Sequence, residues 1–150
     1  MFAAMTPEQR LKSFIAKFAP PNQRLIRSLR SAMRRLVPAA NELVYDNYNF
    51  LVIGYCPTLK PTDSYFSIAA DKNGAGLAFG YIGTRLKDPE KILLGTGKLN
   101  RFLRLESPKT LAMPPVRALI EQAVALCKPP EQKRGQLVIR SVSPKQRPRH

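Results

Sequence analysis

Apolar residues recur at helical spacing in three segments of the chain. Residues 11–18 have apolar side chains at i, i+3, i+4 and i+7 and follow a capping box at residues 6–9. We therefore predict a first helix that ends at the proline pair 20–21. A second helix is predicted over residues 22–37, where the apolar side chains fall within roughly 120° of arc. A third begins at a proline pair and carries an apolar stripe over residues 114–127.

Segments rich in β-branched, aromatic and alternating apolar residues predict strands between the second and third helices. The densest is the apolar run Phe50–Ile53, which ends the stretch Glu42–Tyr55 (ELVYDNYNFLVIGY) and is typical of a buried strand. The polar first half of that stretch is expected to form a turn or a cleft. Further predicted elements are strands at 64–70, 76–82 and 99–105, a hairpin turn at Asn73-Gly74 and a short helix over 88–94 closed by Gly95.

These elements predict an α+β fold. It consists of an antiparallel sheet of about four to five strands, with two N-terminal helices and one C-terminal helix packed on it. Residues 1–130 form the domain and residues 131–150 a basic C-terminal tail. The charge and prolines of the tail favour a mobile or surface-draped segment, whereas residues 137–142 can also pair with the sheet as a short edge strand.

The net charge is the unusual feature of the composition. The chain carries 25 Lys and Arg against 10 Asp and Glu, a net charge of +15. Such an excess favours an anionic partner, either nucleic acid or another polyanion bound without sequence specificity. The one histidine is the last residue, His150, which argues against zinc sites and His-based catalytic triads. We therefore expect no metal and no cofactor.

The compartment is predicted from three features. No apolar run approaches the roughly 18 residues of a membrane span, so no membrane partner is expected. The first ten residues lack the pattern of a secretion signal. The two cysteines, Cys56 and Cys127, have no CxxC spacing and are expected to be reduced. These features predict a cytoplasmic protein.

Three stretches carry a resemblance to a known family: 42–55 with the segment VYDNYNFLVIGY, 88–105 (DPEKILLGTGKLNRFLRL) and 137–149 (LVIRSVSPKQRPR). They are similar to the YdhG-like proteins of the DUF1801 domain type, and the likeness covers nearly the whole chain. The resemblance implies a small α+β domain. It implies little about activity, although a few members have been described as frataxin-like iron chaperones. That role requires clustered carboxylates, and the acids here are few and scattered.

The first candidate site is the polar-aromatic cluster directly before the apolar run. An acid among phenols can transfer protons when burial raises its pKa, and a polar pocket here would suit a small molecule. The same residues also suit a turn in which Asp and Asn side chains bond the backbone. Both interpretations stay open. The members of this YDNYN segment are Tyr45, Asp46, Asn47, Tyr48 and Asn49.

The second candidate site is a Gly-x-Gly-Lys loop followed by a basic strand. It fails as a Walker loop, because Ile92 and Leu99 occupy the positions that require a glycine and a Ser or Thr. Glycine amides beside basic side chains can still cradle an anion. The alternative is that the first glycine ends a helix and the basic residues line a solvated strand. The candidate anion-binding residues are Gly95, Thr96, Gly97, Lys98, Arg101 and Arg104.

The third candidate site is the arginine face of the second predicted helix, opposite its apolar side. Arginine binds phosphate through a forked pair of donors, so five on one helix can follow a nucleic-acid backbone. No aromatic residue interleaves with them and no helix-turn-helix or RRM motif is present, so such binding would be sequence-independent and salt-sensitive. The alternative is a solvated face. The members are Arg24, Arg27, Arg30, Arg34 and Arg35.

These features predict a small non-catalytic binding or accessory domain that engages anionic partners through a basic surface. The basic tail adds a second electrostatic arm to that surface. The alternative is a small-molecule-binding domain or enzyme with a polar pocket at the YDNYN segment. The frataxin-like iron chaperone is a further alternative.

Overall fold

Four helices and six strands make up the part of the chain that the computed structural model describes, residues 4–150. The prediction that the first ten residues lack a secretion signal concerns a segment that lies partly outside the described residues. The α+β class predicted from the sequence is confirmed. The helices are α1 (Pro7–Ile15), α2 (Pro20–Leu36), α3 (Pro108–Ala112) and α4 (Pro114–Leu126); the strands are β1 (Asn41–Asp46), β2 (Leu51–Cys56), β3 (Phe66–Asp71), β4 (Gly74–Phe79), β5 (Arg101–Leu105) and β6 (Leu137–Val142).

All six strands form one sheet in the order β5-β4-β3-β2-β1-β6. Neighbouring strands are antiparallel from β5 to β1, as predicted, and the β3–β4 hairpin turns at Asn73-Gly74 with Gly74 at φ 131°. The sixth strand departs from the prediction, because β6 returns after α4 and pairs parallel to β1. The sheet is therefore mixed, with its one parallel strand at the edge.

The core takes alternate residues from the strands, together with the apolar sides of all four helices. In β3, for example, Phe66, Ile68 and Ala70 are buried in this core, whereas Ser67 and Ala69 point to the opposite side and are partly exposed. A strand shows each face every second residue, so the helices cover one face and leave the other uncovered. We call the uncovered side the open face. Leu43 points to the same side but is fully buried. The members of the open face are Tyr45, Val52, Gly54, Ser67, Ala69, Gly76, Ala78, Phe102 and Arg104.

The stretch Glu42–Tyr55 forms a hairpin and not a single strand with a polar lead-in. Its first residues form the strand β1, which ends with Tyr45 and Asp46, and residues 47–50 make the turn into β2, as expected for the rest of the polar half. Phe50 belongs to that turn and is 41% exposed, so the predicted buried run begins one residue later. The polar residues of β1 are tolerated in a buried strand because basic side chains from other elements neutralise them, as described below.

The helix predicted over residues 88–94 is wrong. The segment is irregular, and Lys91 adopts a positive φ of 53° that ends any helical turn. The Asp88 carboxylate accepts hydrogen bonds from the backbone N–H groups of Ile92 and Leu93, at 3.1 and 2.9 Å. This local bonding competes with the helix that the Asp-Pro-Glu start favoured.

The proline pair at 20–21 begins α2; it does not terminate α1, which ends at Ile15. Proline suits the first positions of a helix because the N–H it lacks has no partner there. The capping box at Thr6 and Gln9 is present as predicted. Within residues 4–150, no helix is both long enough and apolar enough to cross a bilayer.

Part of the C-terminal tail is the predicted edge strand, and the rest lies along the surface with most of its residues exposed, apart from the buried Arg149. Residues 137–142 form β6, and Gly135 packs so closely on Ala40 that a Cβ there would lie 1.7 Å from the Ala40 carbonyl oxygen. Beyond β6, Ser143 and Arg147 donate backbone hydrogen bonds to the carbonyls of Asp46 and Tyr48. The strand β6 and the residues after it therefore lie alongside β1 and the turn that joins β1 to β2.

Candidate functional site

The arginine face of α2 is exposed at four of its five positions. Leu29 and Met33 anchor the helix in the core, and the arginines lie on the opposite arc. An amphipathic helix packed on a sheet holds its polar side in solvent, and the fold uses α2 in this way. The exposed members are Arg24, Arg27, Arg34 and Arg35.

Arg30 is the exception, because carboxylates hold it on both sides. Its guanidinium donates to Glu42 at 2.9 and 3.0 Å and to Glu8 at 2.7 and 3.0 Å, and the side chain is only 14% exposed. The hydrogen bonds from Arg30 lower the pKa of Glu8. Burial works against the charge of Arg30, but its bonds to Glu8 and Glu42 outweigh burial and raise its pKa. Arg30 therefore ties α2 to α1 and β1, and its charge is already neutralised.

Tyr55 completes this buried network. Its hydroxyl donates to Glu42 at 2.9 Å from inside the core. Burial, and then the neighbouring Glu42 carboxylate, raise the pKa of Tyr55 well above its ordinary value, so the phenol stays protonated and remains a donor. The polar atoms of Glu42 are thus satisfied by Arg30 and Tyr55, a structural role that explains an acid in a buried strand.

A cleft of about 420 Å³ lies between α1 and α2 beside Arg30. Its charged lining consists of four basic side chains and one acid, with Ser31 as a neutral hydroxyl. Because Glu8 is already bonded to Arg30, the remaining basic groups are available to an anion. Lys12 from α1 lines this cleft together with the α2 arginines, and it is not among the site residues predicted from the sequence. The charged lining residues are Glu8, Lys12, Arg27, Arg30 and Arg34.

The Gly-x-Gly-Lys loop is bound to its own strand. Arg101 donates from Nη1 to the carbonyls of Gly97 and Asn100, each at 2.7 Å. Arg104 pairs with Glu106 at 3.2 Å and also donates to the carbonyl of Asn73. The loop thus presents carbonyls to Arg101, which favours a loop-stabilising role for that guanidinium.

The other loop residues are exposed to solvent. Gly95, Thr96, Gly97 and Lys98 are all exposed. The ring of Phe102 lies against Gly95, and the Lys98 carbonyl accepts a hydrogen bond from the Thr84 hydroxyl at 3.2 Å. Gly95 has a positive φ of 113°, which suits glycine at a tight bend. Lys98 is therefore the loop cation with the most freedom to meet an anion.

The YDNYN segment does not form one pocket, because alternate residues leave the hairpin in different directions. Tyr45 and Asn47 line a cavity of about 470 Å³ on the open face. Asn49 lines a different cavity, together with Arg147. Tyr48 is exposed, and the guanidinium of Arg147 lies 5.7 Å from its ring centroid. Asp46 points away from all of these into the helix-covered side.

Asp46 is a buried anion held by two cations. Lys17 Nζ lies 2.7 Å from Oδ2 and Arg149 Nη2 lies 3.1 Å from Oδ1, while the Asp46 side chain is 1% exposed. Burial alone would raise the pKa of Asp46, but hydrogen bonds from Lys17, Gln146 and Arg149 outweigh it and lower the pKa. An acid held as a carboxylate does not act as a proton donor near neutral pH, so the geometry gives no support to proton transfer by Asp46.

Arg149 is the residue of this cluster that sequence reasoning missed. Its guanidinium also donates to the carbonyls of Asn47 at 2.6 Å and Asn49 at 3.0 Å, and the residue is only 4% exposed. Arginine is usually solvated, and nothing in the local sequence distinguishes Arg149 from its basic neighbours. Its partners lie about 100 positions earlier in the chain.

Comparison with known proteins gives no relative for this chain. No protein-family model matches it, and searches of curated proteins and of solved structures find no significant match. The resemblance to the DUF1801 proteins therefore stays a prediction based on the three stretches quoted above.

Proposed function

We propose that the protein is a non-catalytic binding domain for polyanions, nucleic acid in particular, and that α2 provides the contact surface. The observation that carries the proposal is the surplus of unpaired cations. Of the 25 Lys and Arg, ion pairs within residues 4–150 engage six: Lys17, Arg30, Arg34, Arg104, Lys128 and Arg149. A folded surface with so few internal counter-charges attracts phosphate and releases counterions when it binds.

The geometry of α2 suits a phosphate backbone. From Arg24 to Arg35 the helix rises roughly 16 Å, a length that covers about five phosphates of one duplex strand. Arg34 contacts Glu42 only at 3.8 Å and its side chain is 59% exposed, so it stays available together with Arg24, Arg27 and Arg35. Lys12 extends the positive surface across the cleft onto α1.

The two alternatives receive less support from the charged residues. A catalytic pocket at the YDNYN segment needs an acid that can exchange protons, and Asp46 is bonded to Lys17 and Arg149. Iron binding of the frataxin type needs free carboxylates, and Glu8 and Glu42 are bonded to Arg30. Basic side chains therefore already bond the carboxylate oxygens of Asp46, Glu8 and Glu42.

The test is a neutralised variant in which Arg24, Arg27, Arg34 and Arg35 are all replaced by Gln. Its affinity for a fluorescein-labelled 20-bp DNA duplex is measured at several salt concentrations. Each lost phosphate contact should reduce the slope of log K against log salt by about 0.9, so we expect a slope smaller by about 3–4.

The matched control replaces four exposed lysines outside α2 by Gln, which gives the same change in net charge. Suitable positions are Lys60, Lys87, Lys109 and Lys133. Equal losses in the two variants would show that only net charge matters, and an unchanged slope in the α2 variant would refute the proposed surface.

A further inference from the structure

We infer that the open face of the sheet is a second binding site, one that takes single-stranded nucleic acid by stacking bases on exposed aromatic rings. The inference rests on the proposed function for the class of partner. It concerns the opposite side of the molecule from α2, so the two sites can be altered separately.

The floor of this site is made of small side chains at the centre of the sheet. One cross-strand row runs from Tyr45 through Val52, Ala69 and Gly76 to Arg104. The next row runs from the buried Leu43 through Gly54, Ser67 and Ala78 to the exposed Phe102. Large residues at the ends and small ones between them leave a shallow depression along each row.

Aromatic rings stand on both sides of that floor. Tyr45 and Tyr81 line a cavity of about 470 Å³ at one end, and Phe50 and Phe102 line a cavity of about 430 Å³ at the other. Tyr81 is 42% exposed, Phe50 41% and Phe102 40%. Exposed aromatic rings are costly in water, and grouped on one sheet face they offer the flat surfaces on which unpaired bases stack.

The charges at the edges are suited to the phosphates of the same strand. Arg104 ends one row with its side chain 58% exposed, although it is also paired with Glu106 at 3.2 Å. Arg140 of β6 is exposed and is the extra residue at the register shift beside Tyr45. Asp71 also lines the Phe50 side, but its carboxylate accepts the backbone N–H of Asn73. The face is therefore apolar at its centre, with an exposed arginine at each of two edges and the Asp71 carboxylate on the Phe50 side.

The dimensions favour a single strand over a duplex. Four strand spacings separate Tyr45 from the β5 edge, or about 19 Å, which accommodates several nucleotides. Single-strand binding domains commonly use sites of about 4–16 nucleotides. In a duplex the faces of the bases are stacked on each other and cannot reach these rings.

A tryptophan reporter gives a direct test, because the chain contains no Trp. Tyr81→Trp places a single indole in the aromatic cavity beside Tyr45. Titration of this variant with a 12-nucleotide oligo-U RNA should quench the indole emission through stacking. The matching 12-bp RNA duplex should bind without comparable quenching.

Ring-deletion variants then test the energetics in the otherwise unaltered chain. We expect Phe102→Ala and Tyr81→Ala each to weaken oligo-U binding about five-fold or more, the lower end of what one base–aromatic stack contributes. Phe102→Tyr should retain most of the affinity. Tyr48→Ala is the matched control, because Tyr48 is 50% exposed but lies outside both cavities, and it should leave binding unchanged.

Two results would overturn the inference. One is oligo-U affinity that is unchanged in the ring-deletion variants, or an indole that is not quenched. The other is a dimer that buries the open face, detected by light scattering together with a blue-shifted indole emission before RNA is added. The two sites are separable: loss of duplex binding only in the Arg→Gln variant supports the α2 surface, whereas loss of oligo-U binding only in the ring variants supports the open face.

Discussion

Replacing Arg149 by Ala should destabilise the protein although the residue is second from the C-terminus. Its guanidinium bonds the buried Asp46 carboxylate and two backbone carbonyls of the β1–β2 turn. It also lies 5.9 Å above the ring of Phe18. The substitution therefore removes contacts from the tail to the β1–β2 turn and to the segment between α1 and α2, while the backbone hydrogen bonds of Ser143 and Arg147 remain.

The expected loss in the free energy of unfolding is the energy of these contacts less the entropy that the released residues regain. A hydrogen bond to a charged group contributes about 1.5–3 kcal/mol and each bond to a carbonyl about 0.5–1.5, so the gross loss is about 4 kcal/mol. Asp46 keeps its 2.7 Å bond to Lys17, so it is not left unpaired. The released tail residues regain backbone entropy of about 1–2 kcal/mol each. We expect a net loss of about 2 kcal/mol, or about 4–8 °C in Tm.

Urea denaturation followed by circular dichroism measures this loss. Lys145→Ala is the matched control, because Lys145 is an exposed cation of the same tail, and it should leave the free energy of unfolding unchanged. The Arg149→Ala variant could instead prove as stable as the wild type, with a tail equally resistant to protease. That result would refute a stabilising role for the buried Asp46–Arg149 pair.

The acid dependence of the same variant gives a second measurement. The pKa of Asp46 is lower in the folded protein than in the unfolded chain, so its contribution is fully present above the unfolded value of about 3.9. That contribution is lost as the pH falls through the lower folded value. The stability difference between wild type and Arg149→Ala should therefore narrow between neutral pH and about pH 2, and a constant difference would show that Asp46 is not responsible.

Three further predictions concern the buried network and the strand edge. Tyr55→Phe removes a donor to Glu42 and should cost about 1–2 kcal/mol in urea denaturation; equal stability would mean that the hydroxyl bond is not needed. Gly135→Ala places a Cβ 1.7 Å from the Ala40 carbonyl oxygen. We therefore expect β6 to separate from β1 and its amides to lose protection from hydrogen exchange. Unchanged protection would contradict this packing. Glu8→Gln should lower the free energy of unfolding by less than about 1 kcal/mol, because the Glu8 side chain is 57% exposed. The same variant should raise the affinity for duplex DNA, because it frees one side of Arg30. Unchanged affinity would exclude the α1–α2 cleft from the contact surface.

The local pattern of the sequence predicted several elements that depend on residues close together in the chain, but it failed at residues 88–94. The capping box at Thr6, the apolar stripe of α4 and the Asn73-Gly74 turn all predicted their structures, because each depends on neighbours within a few positions. The helix predicted over residues 88–94 is wrong because the carboxylate of Asp88 bonds the following backbone and Lys91 leaves the helical region.

Only the tertiary structure decided which arginines are free to bind an anion and which are already bonded to carboxylates. Arg30 has the same helical surroundings as Arg27, yet the folded chain places Glu8 and Glu42 on either side of it. Arg149 is buried because Asp46, about 100 positions away, lies beneath it once β6 pairs with β1. Local periodicity carries no information about such distant pairs, since Coulomb and hydrogen-bond energies depend on separation in space and not along the sequence.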